Sequence, residues 1–134
     1  MTTNEMVKEF HRTYGVPIAD KPGMLDPERS RMRKEILREE FEEYRSAHNR
    51  DLVETADALA DMVYVIYGTA LEYGIPLDDV LAEVHRSNMS KLGADGKPVY
   101  REDGKVLKGP SYFPPDIEGV MARRFPLVIT QSVE

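Results

Sequence analysis

Cysteine and tryptophan are absent from the 134 residues, and histidine occurs only three times. Without cysteine there can be no disulfide framework, no thiolate zinc or iron–sulfur site and no cysteine nucleophile. His11, His48 and His85 are widely spaced, so a histidine-rich metal motif is not expected and any metal would rest mainly on oxygen ligands. Basic residues are in deficit, 18 against 24 acidic, for a net charge of −6 and a pI near 5.1. That balance argues against bulk binding to DNA, RNA or an anionic membrane surface. Long apolar runs are missing too. The longest after Asp61, Met62 to Leu71, has ten residues, about half of what a membrane-spanning helix needs. The opening residues MTTNEMVKEF lack the apolar core of a signal peptide, so a soluble, cytoplasmic protein is expected. A chain of this length buries roughly two-thirds of its unfolded surface and needs no covalent staple.

What is present is helical periodicity over residues 1–92, followed by a Gly-, Pro-, Lys- and Asp-rich stretch over 93–118. A first helix is expected from about Asn4 to Tyr14, capped by Thr3 or Asn4 and ended by Gly15. After a Pro/Gly loop, Asp26-Pro27 opens a second helix that runs to about His48. A third is expected from Asp51 to Tyr73, closed by Gly74, and a fourth from Leu77 to Lys91, ended by Gly93. Asp103-Gly104, between VYRE and KVLK, predicts a hairpin with a two-residue type I′ turn. The fold class is therefore all-α: a bundle of four to five helices with a short hairpin flap. Residues 1–118 read as one domain. Residues 119–134 form a tail of no assignable structure, with an apolar patch at Phe125, Leu127, Val128 and Ile129.

The informative feature is acid where acid is unfavourable. Residues 56–71 carry only two charges, Asp57 and Asp61, and their apolar side chains go all round the helical wheel, as in a central helix. Glu54, Asp57 and Asp61 fall within about a 60° arc of it. On the preceding helix Glu39, Glu40 and Glu43 share a face with Met32, Ile36 and Ala47, whereas Glu42 points elsewhere. Unpaired buried carboxylates are costly by several kcal/mol each, so a cation is expected between the two stripes. Hard oxygen ligands favour Mg²⁺, with Mn²⁺ as an alternative. Charge is also segregated: residues 35–61 sum to −6 and residues 84–110 to +3. An acidic metal nest and a basic, glycine-rich flap suit a metal-bound polyphosphate. Solvated glutamates and an ordinary solvated hairpin are the plainer alternatives.

Glu39-Glu40-x-x-Glu43 followed by Glu54-x-x-Asp57 resembles the EExxE…ExxD signature of the all-α nucleoside triphosphate pyrophosphohydrolases. Residues 57–91 are most similar to the MazG-related, phosphoribosyl-ATP-pyrophosphohydrolase-like group, and the resemblance covers roughly residues 28–115. Glu43 and Glu54 are closer in the chain than in many members, which implies a tight turn around Asn49. The resemblance implies Mg²⁺-dependent cleavage between the α- and β-phosphates, to a nucleoside monophosphate and pyrophosphate. It makes Glu40, Glu43, Glu54 and Asp57 the metal ligands. Glu39 would bind a further ion or orient the attacking water, with Glu40 beside it in the catalytic pair, and Asp61 would support the ligands from behind. It also implies substrate contacts from Asn88 and Lys91 at the end of the fourth helix, and from Lys108 and Tyr112, with His85 a weaker candidate.

A homodimer or homotetramer is expected, both from the resemblance and because so short a chain cannot cover an all-round apolar helix. Nucleotide house-cleaning is the preferred role, with phosphoribosyl-ATP hydrolysis or a non-catalytic helical dimerisation module as alternatives. A di-iron bundle is disfavoured, since no Glu-x-x-His pair occurs.

Overall fold

The computed structural model describes residues 1–47 and 51–124. The turn around Asn49 and the apolar patch at 125–129 lie outside the described residues. Among the described residues the chain is mostly helical, 62%, with five helices and one two-stranded sheet, as expected for the class. It divides into two compact units, residues 1–75 and 76–134. Among the described residues no helix is long and apolar enough to cross a membrane.

The first unit holds α1 (Thr3–Tyr14), α2 (Pro27–Ala47) and α3 (Leu52–Tyr73). The cap of α1 is Thr2, one residue earlier than expected. Its hydroxyl accepts from the Glu5 amide while Glu5 returns a bond to the Thr2 amide, a reciprocal capping box. Asp26 caps α2 through the Arg29 amide, and Asp51 caps α3 through the amides of Val53 and Glu54. The loop between α1 and α2 donates to the end of α3: Ala19 N–H to Leu71 O, 2.9 Å, and Gly23 N–H to Tyr73 O, 3.0 Å. These bonds satisfy carbonyls that a helix end leaves without partners.

Helices α2 and α3 are antiparallel and are tied by a polar cluster. Glu72, 4% exposed, accepts from Arg29 Nε (2.5 Å) and Nη2 (2.8 Å), and lies 3.2 Å from Arg33 Nη1. Arg33 is itself buried and donates to Thr69 Oγ1 (3.0 Å) and the Val65 carbonyl (2.8 Å). Gly68 makes room for this. A Cβ there would stand 2.7 Å from Arg33 Nη2 and 2.8 Å from His11 Nε2. Buried His11 donates from Nδ1 to the Pro17 carbonyl, and Phe10 meets Tyr64 edge-on, which seats α1 on α3.

The second unit holds α4 (Leu77–Asn88), β1 (Val99–Tyr100), β2 (Val106–Leu107) and α5 (Ile117–Arg124). Val80 and Val120 are buried within it. Buried Glu83 pairs with Arg86 and receives the Asp116 amide, which in that order hold its carboxyl down to about 2. Arg86 also lies over the Phe113 ring, 4.4 Å from its centroid.

Three expectations need correction. The fourth helix ends at Asn88 rather than Lys91, because Ser87 and Ser90 exchange bonds with the Phe113 backbone and turn the chain. The hairpin turn has three residues, not two. Arg101 N–H bonds Lys105 O and Gly104 N–H bonds Arg101 O, with Gly104 at φ 89° and the Asp103 carboxylate accepting from the Lys105 amide. Residues 117–124, partly assigned to the tail, form α5. In keeping with the sequence reading, α3 is not covered all round by its own chain: Leu52, Leu59, Val63 and Ile66 are 83, 46, 46 and 40% exposed.

Glu72→Gln should lower the unfolding free energy by about 3–5 kcal/mol, since it leaves two guanidiniums without a counter-charge in a buried site. Urea denaturation at neutral pH checks this.

Candidate active site

The acids converge on the α2–α3 seam, three turns along each helix from the Glu72 cluster. Arg29 and Glu40 are eleven residues apart on α2, and so are Asp61 and Glu72 on α3. Glu40, Glu43 and Asp61 each offer a carboxylate oxygen, all within 4.8 Å of one another. Glu40 and Asp61 are half-buried and Glu43 is exposed. Burial first, then the charges of Glu43 and Asp61, push the Glu40 carboxyl above its ordinary value. Asp61 is pushed up by burial and by Asp57 and Glu43. Glu40 Oε2 is buried with no hydrogen-bond partner, and among the described residues no other buried side-chain oxygen or nitrogen lacks one.

Glu54 and Asp57 sit one turn further towards the start of α3. With Glu43, Ser46, Ala47 and Ala58 they line a cleft of about 270 Å³. Both are exposed, unlike the buried positions the all-round apolar pattern implied. Glu43 therefore belongs to two acidic sets, one with Glu40 and Asp61 and one with Glu54 and Asp57. Glu39 is exposed beside them.

Glu40 and Asp61 also form one end of a larger cavity of about 560 Å³ between α1, α2 and α3. Its walls are mainly apolar and aromatic, including Phe10, Met32, Ile36 and Tyr64, and Arg29 and Arg33 line it as well. Sequence reasoning missed this cavity and its arginines. A signal existed: Glu72, in an otherwise apolar helix, is three turns from Asp61 on the same face.

The remaining candidates belong to the second unit. Lys108 Nζ stands 4.8 Å from the Tyr112 ring centroid, and the Gly109 amide bonds the Lys91 carbonyl, so Lys91, Lys108 and Tyr112 gather where the hairpin closes. Asn88, at the last position of α4, and His85 are both exposed.

Residues 7–88 match the family model described as phosphoribosyl-ATP pyrophosphohydrolase. The chain belongs to this family. An uncharacterized protein of Acanthamoeba polyphaga mimivirus is 30% identical over 112 residues, 80% of this chain but 42% of that protein, so the chain spans about two-fifths of this curated relative. A solved structure from Exiguobacterium sp. 255-15, of a candidate NTP pyrophosphohydrolase, is 26% identical and covers 96% of this chain and 98% of its own, with a TM-score of 0.50. Membership of the pyrophosphohydrolase family agrees with the acid signature from which the resemblance was drawn.

The donor set fits a hard divalent cation. It consists of carboxylate oxygens, one of them buried and without a partner, in a cluster whose members disfavour each other's charge. Raised acids fix the sign of the pH response. Their stabilising contribution is complete below the unfolded-state values and is lost as pH rises through the higher folded-state ones. The metal-free protein should therefore melt at lower temperature as pH goes from about 5 to 8. Glu40→Gln should raise the melting temperature at pH 8, and added Mn²⁺ should stabilise the wild type more at pH 8 than at pH 5. Thermal melts across pH and metal concentration check all three.

Proposed function

We propose that the protein is a metal-dependent nucleoside triphosphate pyrophosphohydrolase, cleaving between the α- and β-phosphates to give a nucleoside monophosphate and pyrophosphate. The observation that carries this reading is the partnerless buried oxygen of Glu40 within an oxygen-only cluster, in a chain of this family. Glu40, Glu43, Glu54 and Asp57 would hold Mg²⁺ or Mn²⁺, with Glu43 shared between the two acidic sets. Asp61 joins the ligand set on the strength of its place in the cluster, where the sequence suggested only support from behind. A bound divalent cation would neutralise phosphate charge and lower the pKa of a water. Glu39, exposed beside the ligands, is left to orient that water or take a further ion. The substrate contacts that the resemblance implies, Asn88, Lys91, Lys108 and Tyr112, all belong to the second unit. Little covalent chemistry falls to the protein, so positioning and electrostatics carry the rate. House-cleaning of (d)NTP pools in the cytoplasm is one role; the family description favours a second, hydrolysis of phosphoribosyl-ATP.

A homo-oligomer belongs to the same proposal. Leu52, Leu59, Val63 and Ile66 recur at helical spacing along one exposed stripe of α3, an arrangement that a second copy would cover. Val63→Glu should therefore lower the mass measured by light scattering after gel filtration.

Product analysis tests the activity. Purified protein with Mg²⁺ or Mn²⁺ is incubated with NTPs, dNTPs and phosphoribosyl-ATP, and mono-, di- and triphosphates are resolved. Monophosphate and pyrophosphate are expected. Diphosphate and phosphate would overturn the point of attack, and no turnover of any substrate would overturn the enzyme. Glu43→Gln and Asp57→Asn should abolish turnover while leaving the helical content unchanged.

A further inference from the structure

A cleft of about 420 Å³ lies between α4 and α5, wholly within the second unit. On α4 it is lined by Asp79, Glu83 and Arg86, which share about a 60° arc of that helix. Asn88 falls on the opposite side of α4, so the cleft is a separate surface from that implied substrate contact. From α5 come Val120, Arg123 and Arg124. Three arginines therefore line the cleft with two acids, and the pairing leaves one positive charge over. Asp79 takes Arg124, 3.2 Å away, at the last turn of α5, where a cation also suits the helix dipole. Glu83 takes Arg86, which donates from Nε (2.8 Å) and Nη2 (3.1 Å), and it also receives the Asp116 amide at 2.7 Å. Arg123 is different. It is close enough to add its charge, after Arg86 and that amide, to what holds the Glu83 carboxyl down. Yet it is exposed, and among the described residues it makes no hydrogen bond or ion pair. Arg86 likewise has no bond from Nη1 among the described residues, and the Phe113 ring beneath it fixes its guanidinium.

We propose that the cleft between α4 and α5 is a binding site for a small organic phosphate monoester. Arg123 and the free edge of Arg86 take the phosphate, and Val120 and Ala82 carry the organic body. Two guanidiniums from different helices suit a tetrahedral anion, because each rigid fork donates to more than one oxygen. Asp79 and Glu83 oppose the anion little, since an arginine already neutralises each of them. The volume exceeds what inorganic phosphate needs and falls within the range of small-ligand sites, about 300–1,000 Å³. The assignment stands apart from the hydrolase reading and does not depend on it.

The test is titration calorimetry of the full chain, kept metal-free with EDTA and at low ionic strength so that the charges are not screened. The probes are phenyl phosphate, inorganic phosphate, benzoate and phenol. Phenyl phosphate should bind, inorganic phosphate and benzoate should bind several-fold more weakly, and phenol should not bind. Arg123→Gln should weaken phenyl phosphate about tenfold or more, as loss of a charge-assisted hydrogen bond implies, and Arg123→Lys should recover part of the loss. Melting curves of both variants without ligand should match the wild type, because Arg123 holds no partner among the described residues. Phenyl phosphate should raise the melting temperature of the wild type and not of Arg123→Gln. Lys91→Ala and Lys108→Ala separate the cleft from the implied substrate contacts, and both should bind phenyl phosphate as the wild type does. Four results would overturn the assignment: no binding of phenyl phosphate; inorganic phosphate or benzoate bound as tightly; an affinity untouched by Arg123→Gln; or binding lost in either lysine variant.

Discussion

The antiparallel seam of α2 and α3 is the constraint on which the first unit depends, and polar pairs set its register. Arg29 meets Glu72, Arg33 meets Thr69 and Val65, and Glu40 meets Asp61. A slide of one turn along either helix would leave Glu72 facing one guanidinium instead of two and would part Arg33 from Thr69 and the Val65 carbonyl. Hydrophobic contacts alone would not enforce this. The buried apolar residues at the seam, such as Ala47 and Ala58, are small and offer little resistance to sliding. Buried ion pairs add little net stability against an apolar replacement, but a mismatched one is heavily penalised, and that asymmetry makes them registry devices.

Registration has a consequence at the other end of the seam. With the helices fixed by Arg29, Arg33 and Glu72, Glu40 and Asp61 cannot move apart to relieve their repulsion, so burial and neighbouring charge raise both carboxyls. The well-satisfied end thus maintains the unsatisfied end. Gly68 is the small adjustment that allows it, because any side chain there would displace Arg33 and His11 from the α3 backbone.

Much of this was legible in the sequence, for identifiable reasons. Capping aspartates, the Asp26-Pro27 start and the terminal glycines set the helices to within a residue or two, since those signals are local. The acid stripes were legible because charge in an apolar helix is rare. Their depth was not. A wheel shows which side chains share a face but not which neighbour covers it, so Asp57 read as buried and is exposed, while Asp61 is the closer companion of Glu40. The end of α4 was hidden because it depends on Phe113, far along the chain, and the hairpin turn because an aspartate-glycine pair serves three-residue loops as well. The arginine end of the cavity went unread because Arg29 and Arg33 look like ordinary surface residues of a charged helix until Glu72 is set opposite them.

The acids and the exposed apolar stripe lie on the same helix but on opposite sides of it. At 100° per residue Leu52, Leu59, Val63 and Ile66 fall within about a 60° arc, and Glu54, Asp57, Asp61 and Glu72 fall within another roughly half a turn away. The acidic face is the one that meets α2, through Glu72 with Arg29 and Asp61 with Glu40. The stripe faces away from that seam, so a surface laid over it would leave Glu54 and Asp57 open to water and to a cation. Helix α3 thus keeps its polar register and its uncovered apolar face apart.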